Sequence, residues 1–470
     1  MLILPFTGIT NASVWRSHTQ DSTLTPIKHV VIITMENHSF DNIFGNYPYG
    51  GNAALSNLLP DMSMPNDINN VSKAVKLSSA PQGTFSTPDP VEGYTAYHLD
   101  WAGGSMDGFR ANSGPQSMTY FTAYQMAPEW DIAEEFAIAD MYFASALTAT
   151  IPNRLFQIAG YSPVINDYGL PPYITFGETI FGELQKYGIS WSYYVENPQQ
   201  PTIVLPFIYG IDAYRSHIGS WNEFIAQLSN GTLPAVSYVS PIGGGASGYS
   251  QHPSDNMLVG EEWLLYIIDQ LMRSSIWNST ALFITYDEGG GYYDHVPPPL
   301  LDGQRLGFRV PLFLVSAYAK EDYVSNTVMN HASLIAFIDY NWKLPPLNRF
   351  VALSNIPLDM FYFGMQRQPF TFEALGLQVP GEMKFGFSSL NTTSLQGLFP
   401  VTPQIPLNST PYGRYGNSDY KLASDATHYF VDRDVAYTPF YETNWLLIIL
   451  SSALAASAFM VTARRRHHSP

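Results

Sequence analysis

Residues 27–45 read IKHVVIITMENHSFDNIFG. Val30, Val31, Ile32 and Ile33 make a short, β-branched, wholly apolar run, the pattern of a strand covered on both faces. The text turns polar at Glu36-Asn37-His38, and Ser39 followed by Phe40, Ile43 and Phe44 predicts the start of a helix. Glu36 and Asn37 therefore fall at the carboxyl end of a buried strand, where open α/β sheets place their ligand sites. A carboxylate beside an amide oxygen suits a hard divalent cation. The same pair also serves as an ordinary cap between strand and helix, and spacing alone does not separate the two readings.

Residues 281–299, ALFITYDEGGGYYDHVPPP, repeat the arrangement. Leu282 to Tyr286 is an apolar run, and Asp287-Glu288 stands at its carboxyl end. Two acidic strand ends converge if their strands neighbour one another in a parallel sheet. The glycines that follow let backbone and substrate approach closely. Elsewhere, Ile180, Leu184 and Tyr187 keep a helical period that Gly188 ends, and a strand follows; GTLPAVSYVSP is a further strand. A helix is expected over roughly 258–272, an amphipathic one from Pro128 to Phe136 leading into a strand at FAIADMYFAS, and a strand from Val310 to Val315. Such alternation is the pattern of a mostly parallel central sheet with helices on both faces. The Gly, Asn, Pro and Ser-rich segment 46–82 reads as a long surface loop.

Three further stretches carry candidate chemistry. In ALTATIPNRLFQIAG, residues 146–160, a proline in the first turn and the spacing of Leu155, Phe156 and Ile158 mark a helix start at Thr150. Thr150 is a cap in the ordinary reading. A helix N-terminus is also an anion site, and a hydroxyl there beside a metal can lose its proton and attack phosphorus; Thr148 is the neighbouring candidate. AYHLDWAGGSMDGF, residues 96–109, sets His98, Asp100 and Asp107 among small residues, as in a loop that approaches a ligand. GGGASGYSQHPSDN places His252 just before a helix, with no strand–GxGxxG–helix arrangement to make its glycines a nucleotide fingerprint.

Composition narrows the partners. The 470 residues carry a formal charge of −17, which argues against nucleic acid, and no cysteine, which excludes disulfides and thiol chemistry. Charged residues make up only 13%, while Asn, Ser, Thr and 31 tyrosines supply much of the polarity. Seven Asn-x-Ser/Thr sequons, at Asn11, Asn37, Asn70, Asn230, Asn278, Asn391 and Asn408, lean towards an exported protein. Few charges and many neutral hydrogen-bonding groups suit a surface facing acidic water, where carboxylates protonate near pH 4.

The motifs over residues 27–347, in this order, resemble the phosphoesterase family of bacterial phospholipases C and acid phosphatases, relatives of alkaline phosphatase. The resemblance implies an alkaline phosphatase-like α/β fold and a divalent metal cation, of unstated identity and number, held by Glu36, Asn37, Asp287 and Glu288 with Thr150 as a fifth contact. It implies Thr150 as nucleophile, in a matching Thr-x-Pro-Asn-Arg context, activated by the metal and passing through a phosphothreonine. Asn153 and Arg154 become substrate contacts, with a structural carboxylate as the other partner open to Arg154. His98 becomes a phosphate contact and His252, in a His-Pro matching the family's, a neighbour of the metal. His295 either bonds a ligand or leaving group or is structural. His331, near the start of a closing helix, reads as a cap or core histidine.

Residues 1–26 read as a signal or N-terminal tail, and 348–444 as an extended or β-rich stalk. Trp445 to Val461 is uncharged and apolar over 17 residues, Thr462-Ala463 extend it, and a basic tail follows from Arg464. That predicts one C-terminal transmembrane helix over 445–463, with 464–470 cytoplasmic and the catalytic domain outside. The leading expectation is an extracellular, membrane-tethered acid phosphatase acting on phosphate monoesters. A phospholipase C is the alternative, and a non-catalytic surface protein with the same fold the alternative of another class. Oligomeric state is left open by the sequence.

Overall fold

Strands too apolar to face water have to be covered on both sides, and the chain does this with one sheet between two helical layers. The computed structural model describes residues 23–45, 47, 63–66, 74–76, 78–81, 84–167, 174–199, 203–241 and 248–372. In chain order the elements used below are β1 (His29–Met35), α1 (Phe40–Phe44), α2 (Tyr94–Trp101), α3 (Ala123–Glu135), β2 (Ala137–Ala139), α4 (Thr150–Ala159), α5 (Ile180–Tyr187) and β3 (Trp191–Val195). They continue with β4 (Ile218–Ser220), α6 (Trp221–Asn230), β5 (Val236–Val239), α7 (Met257–Arg273), β6 (Thr280–Tyr286), β7 (Leu312–Ser316), β8 (Tyr323–Ser325), α8 (Ala332–Trp342) and α9 (Arg349–Leu353).

The sheet runs β4-β3-β5-β1-β6-β7-β2-β8. Every pairing is parallel except those of β7, which runs antiparallel to both β6 and β2. The sheet is thus mixed, with a single reversal in a mostly parallel frame. Its cause lies in residues 287–311, which form turns and a short hairpin but no helix. A parallel return needs a crossover of about a dozen residues or more, usually helical, whereas an antiparallel neighbour does not. Neighbouring residues of β3 show the two covered faces. The Tyr193 ring meets Phe181 of α5 edge-on at 5.9 Å, while Tyr194 packs on Phe224 of α6 at 5.2 Å. Helices α4, α5, α8 and α9 pack together, as do α3, α6 and α7.

Several boundaries differ from expectation. α3 begins five residues before Pro128, on a Thr122 capping box, and tolerates the proline because the backbone leaves helical geometry at Met126. The segment 96–101, read as loop, belongs to helix α2, which begins at Tyr94. Short strands at Ser63–Asn66 and Ala74–Lys76 pair within the stretch read as a loop. At the N-terminus, residues 23–26 already belong to the domain: the Leu24 amide donates to the Asn341 carbonyl and the Thr25 hydroxyl to the Asn341 side chain. At the other end, the proposed stalk starts inside the domain. Asn348 caps α9 and donates to the Ala159 carbonyl, and Phe350 packs on Phe156 at 5.1 Å. The tail over 1–22, the remainder of the stalk and the apolar segment 445–463 with its basic tail lie outside the described residues. Among the described residues no helix is long and apolar enough to cross a membrane.

Each helical layer buries one pair of carboxyl groups. Glu129 of α3 faces Glu261 of α7, and both are 1% exposed. Gln251 donates to Glu129 at 2.7 Å, the Tyr286 hydroxyl donates to Gln251, and Glu262 adds repulsion to Glu261. In the other layer Glu183 of α5 meets Asp339 of α8. Lys186 of α5 favours the Glu183 charge, the Leu347 amide donates to Asp339, and Tyr238 lies in the Asp339 field. Burial pushes Glu129 and Glu183 up to about 7, and drives Glu261 and Asp339 well above the carboxylate range.

Two carboxyl groups in contact share one proton rather than both ionise. The folded chain therefore holds protons that the unfolded chain releases near pH 4, so the contribution of these pairs to stability is full below that pH and is lost as pH rises through about 7. The thermal midpoint should fall steadily between about pH 5 and about pH 8, and the double variant Glu129→Gln, Asp339→Asn should fall less. A midpoint that holds level or rises over that range, read by calorimetry, contradicts this account.

Candidate active site

β1 and β6 pair in parallel register from His29↔Thr280 to Met35↔Tyr286. The next residue on each strand is Glu36 and Asp287, so the two acidic strand ends lie side by side. The turn into the site is sharp. Asn37 takes a left-handed backbone conformation at φ 64°, which a short amide side chain tolerates better than most, and its N–H donates to Asp287 Oδ1 at 3.2 Å. The glycines after Glu288 are required by contact: a Cβ at Gly290 would stand 2.0 Å from the Asn37 carbonyl, and one at Gly291 2.7 Å from that of Val91.

Four side chains line these strand ends, all 4% exposed or less. Asp287 has both oxygens engaged: Oδ1 accepts from the Asn37 and Glu288 amides, and Oδ2, among the described residues, accepts only from Arg154 Nε, at 3.0 Å. The other three each have one side-chain atom held and one left over. Arg154 Nη2 reaches Glu36 Oε1 at 3.3 Å. Asn37 Nδ2 donates to Glu92 at 2.6 Å. Glu288 Oε2 accepts from the Tyr97 hydroxyl and from the Gly290 amide. Glu36 Oε2, Asn37 Oδ1 and Glu288 Oε1 are buried and have no hydrogen-bond partner among the described residues. Burial without a partner is costly for oxygens of this kind. Three orphaned hard oxygens on adjacent strand ends fit a divalent cation. Burial, then Asp287, raises the Glu288 pKa well above normal; burial raises that of Glu36 despite Arg154. A bound cation would reverse both shifts.

α4 points its N-terminus at this cluster. Thr150 is its first residue and half-buried, and Arg154, one turn on along the same face, touches both Glu36 and Asp287. Thr148 is buried, with its hydroxyl donated to the Ile165 carbonyl at 2.6 Å, which removes it from contention. Asp167 accepts from the Ile151 amide at 2.7 Å, and burial pushes it up to about 7, with Asp287 and Glu36 adding repulsion. His252 also belongs here. Burial opposes its protonation, but Glu36, the Pro253 carbonyl, Asp89 and Asp287 together raise its pKa. Ligand atoms of His252, Asp89 and Glu92 lie within 4.8 Å of one another, against the Asn37 amide.

The structure places the remaining candidates as follows. Asn153 is not placed for substrate: it is buried, accepts from the Ala146 amide, and donates to the Ala146, Thr148 and Ala149 carbonyls at 2.8–3.1 Å. Arg154 spends its guanidinium on the carboxylates, Ser240 and the Met35 carbonyl rather than on a substrate phosphate. His98 bonds the Tyr94 carbonyl one turn back and lies against the Tyr94 ring, so it is Tyr97 that reaches Glu288. His295 belongs to a second cluster, at 2.6 Å from Asp41, where Arg309 bridges Asp41 and Asp294 at 2.9 Å each. His331 is a core histidine between the Tyr142 hydroxyl and the Asp287 carbonyl, and burial lowers it to about 4.

The sequence reading missed Glu92, Tyr97 and Asp167. Tyr97 stood in a quoted motif, but nothing in the spacing set it above His98. Asn153→Ala should cost about 3 kcal/mol, because it strips partners from several buried backbone groups. Denaturant titration measures this. Unchanged stability with a raised KM would return Asn153 to the substrate.

Residues 27–345 match the profile of the Phosphoesterase family. Phospholipase C A of Mycobacterium tuberculosis is 27% identical over 393 residues, 69% of this chain and 74% of that protein. Non-specific phospholipase C6 of Arabidopsis thaliana is 28% identical over 346 residues, covering 64% of this chain and 63% of its own. Among solved structures, the phosphonate monoester hydrolase of Agrobacterium radiobacter aligns over 72% of this chain and 78% of its own, at 10% identity and a TM-score of 0.35. With its match spanning both acidic strand ends and the helix that begins at Thr150, the chain belongs to the Phosphoesterase family and is a hydrolase of phosphoric esters.

Proposed function

We propose that the chain is a metal-dependent, acid-adapted phosphodiesterase that cleaves phospholipids in the manner of a phospholipase C, with Thr150 as nucleophile. The observation that carries the metal-dependent reading is the set of three orphaned oxygens, Glu36 Oε2, Asn37 Oδ1 and Glu288 Oε1, beside Asp287 with both its oxygens engaged. These residues would hold one divalent cation, which supplies Lewis-acid charge neutralisation and favours the alkoxide form of a nearby hydroxyl. A mixed sheet with its ligands at the strand ends agrees with the alkaline phosphatase-like architecture expected from the motifs.

Thr150 Oγ1 attacks phosphorus and its proton leaves to solvent or to a nearby carboxylate. The P–O bond to the lipid glycerol breaks, and water later hydrolyses the threonine phosphodiester to free the headgroup phosphate. Arg154 holds Glu36 and Asp287 in place against their mutual repulsion. His252, whose pKa its acidic neighbours raise, would donate to a phosphate oxygen or to the departing alkoxide.

Two considerations favour a diester over a monoester. The relatives reported above are phospholipases C, one of a bacterium and one of a plant. In addition, Arg154 is spent on carboxylates, and a site so rich in acid accepts a diester monoanion more easily than a monoester dianion. Phosphomonoesterase activity at low pH is the second reading, supported by the low-charge composition. A tether through residues 445–463, with the catalytic domain outside the cell, fits either substrate.

Thr150→Ala should keep the fold and the cation yet lose at least about a thousandfold in kcat. Near-normal turnover by this variant would reduce Thr150 to a helix cap. Substrate class is read from phosphocholine released from phosphatidylcholine vesicles against phosphate released from a chromogenic monoester, each with and without chelator. Faster turnover of the monoester reverses the order of the two readings, and activity indifferent to exhaustive chelation removes the cation from both.

A further inference from the structure

The three orphaned oxygens have something in common besides their burial. In each side chain the partner atom is tied down from outside the strand ends, and two of the three ties come from one place. Glu92, two residues before α2, holds the Asn37 amide nitrogen, and Tyr97, in the second turn of α2, holds Glu288 Oε2. An asparagine whose nitrogen is fixed on a carboxylate must turn its oxygen away from it. A carboxylate with one oxygen taken by a phenol and an amide presents the other. The direction of the phenol's proton is also fixed. The Gly291 amide donates to the Tyr97 oxygen at 2.9 Å, so the Tyr97 hydrogen is the one left to serve Glu288.

The backbone is built to keep α2 in this position. Gly93, with φ 107°, starts the helix, and the Val91 carbonyl packs against Gly291 where no Cβ fits. The Val91 amide donates to the Ser113 carbonyl, and the Ser113 hydroxyl lies within hydrogen-bond distance of both the Val91 carbonyl and the buried Asp100 of α2. Tyr97 itself is 1% exposed, wedged against Phe308 at 5.4 Å. A phenol so enclosed has no freedom to follow a mobile carboxylate; the carboxylate conforms to it.

We propose that Glu92 and Tyr97 are positioning residues of the cation site. They form an outer bracket on α2 that sets which atom of Asn37 and which atom of Glu288 faces the ion. This rests on the coordination set proposed above, and goes further by assigning a role to two residues outside it. Partners of this outer kind typically change cation affinity by 10- to 100-fold when removed, because the ligands lose orientation rather than identity.

The test is cation affinity of the full chain, stripped of metal and titrated calorimetrically with Mn2+, Mg2+, Ca2+ and Zn2+ in turn, with the thermal midpoint of the stripped protein measured alongside. Tyr97→Phe keeps the ring and loses the hydroxyl, and should weaken the best-bound cation by about 10- to 100-fold. Glu92→Ala should do likewise, while Glu92→Gln, which retains an acceptor for the Asn37 amide, should regain most of the affinity. Wild-type affinity in Tyr97→Phe and Glu92→Ala overturns the bracket and leaves the coordination set standing. So does a loss in these variants that the stripped protein's midpoint shows to be general unfolding, with Glu92→Gln no better than Glu92→Ala. A wild type that takes up none of the four cations overturns the coordination set, and the bracket with it.

Discussion

The structure depends on one pairing, the parallel ladder between β1 and β6 with Met35 opposite Tyr286. It brings Glu36 and Asp287 to the same level at the carboxyl ends of the two central strands, where two carboxylates in low dielectric repel strongly. Arg154 answers that repulsion by reaching both, at 3.3 and 3.0 Å. Because Arg154 rides on α4, the same contact fixes the start of that helix and so the place of Thr150. A register slip of one residue would turn the apolar set of β1 to the wrong faces and would also separate the acids. Core packing and site assembly are thus specified by the same hydrogen bonds.

Much of this was legible because it is local. The apolar runs from Val30 and from Leu282, the polar break after each, and the Thr150 helix start are patterns within a few residues, and each forms where expected. The convergence of the two acidic ends followed from one assumption about neighbouring strands. What stayed hidden is made by distance. Nothing around Asp167 distinguishes it until the fold brings it to the Ile151 amide, and Glu92 gains its role from an asparagine 55 positions away. Asn153 misled for the opposite reason. Its motif is local and its partners are local too, but the bonds it makes shape the 146–149 backbone. β7 reversed the sheet because residues 287–311 hold no crossover helix, an absence readable only once strand order is known.

The distribution of charge gives the molecule a consistent bias. Around the site, acidic groups outnumber Arg154, an imbalance suited to a cation. In the helical layers, Glu129 with Glu261 and Glu183 with Asp339 have no guanidinium partner among the described residues, an imbalance suited to a proton. Arg309 marks the contrast. Wholly buried, it bonds Asp41, Asp294 and the Asp140 carbonyl and lies over the Phe40 ring, so the acids around it are given a cationic partner. Acids left without one are stable in the protonated state.

Asn37 has a second identity that its burial makes consequential. It begins a sequon, Asn37-His38-Ser39, yet its side chain is 0% exposed and its nitrogen is engaged by Glu92. Asn230 and Asn278, by contrast, are exposed in the folded chain. An oligosaccharide can therefore reach Asn37 only while β1 is unpaired, and one attached there would occupy the strand end and prevent Gly290 from closing onto it. In a secretory pathway that glycosylates the nascent chain before it folds, yield of protein and yield of competent protein would part company. The order in which folding and modification occur is a constraint written into this one residue.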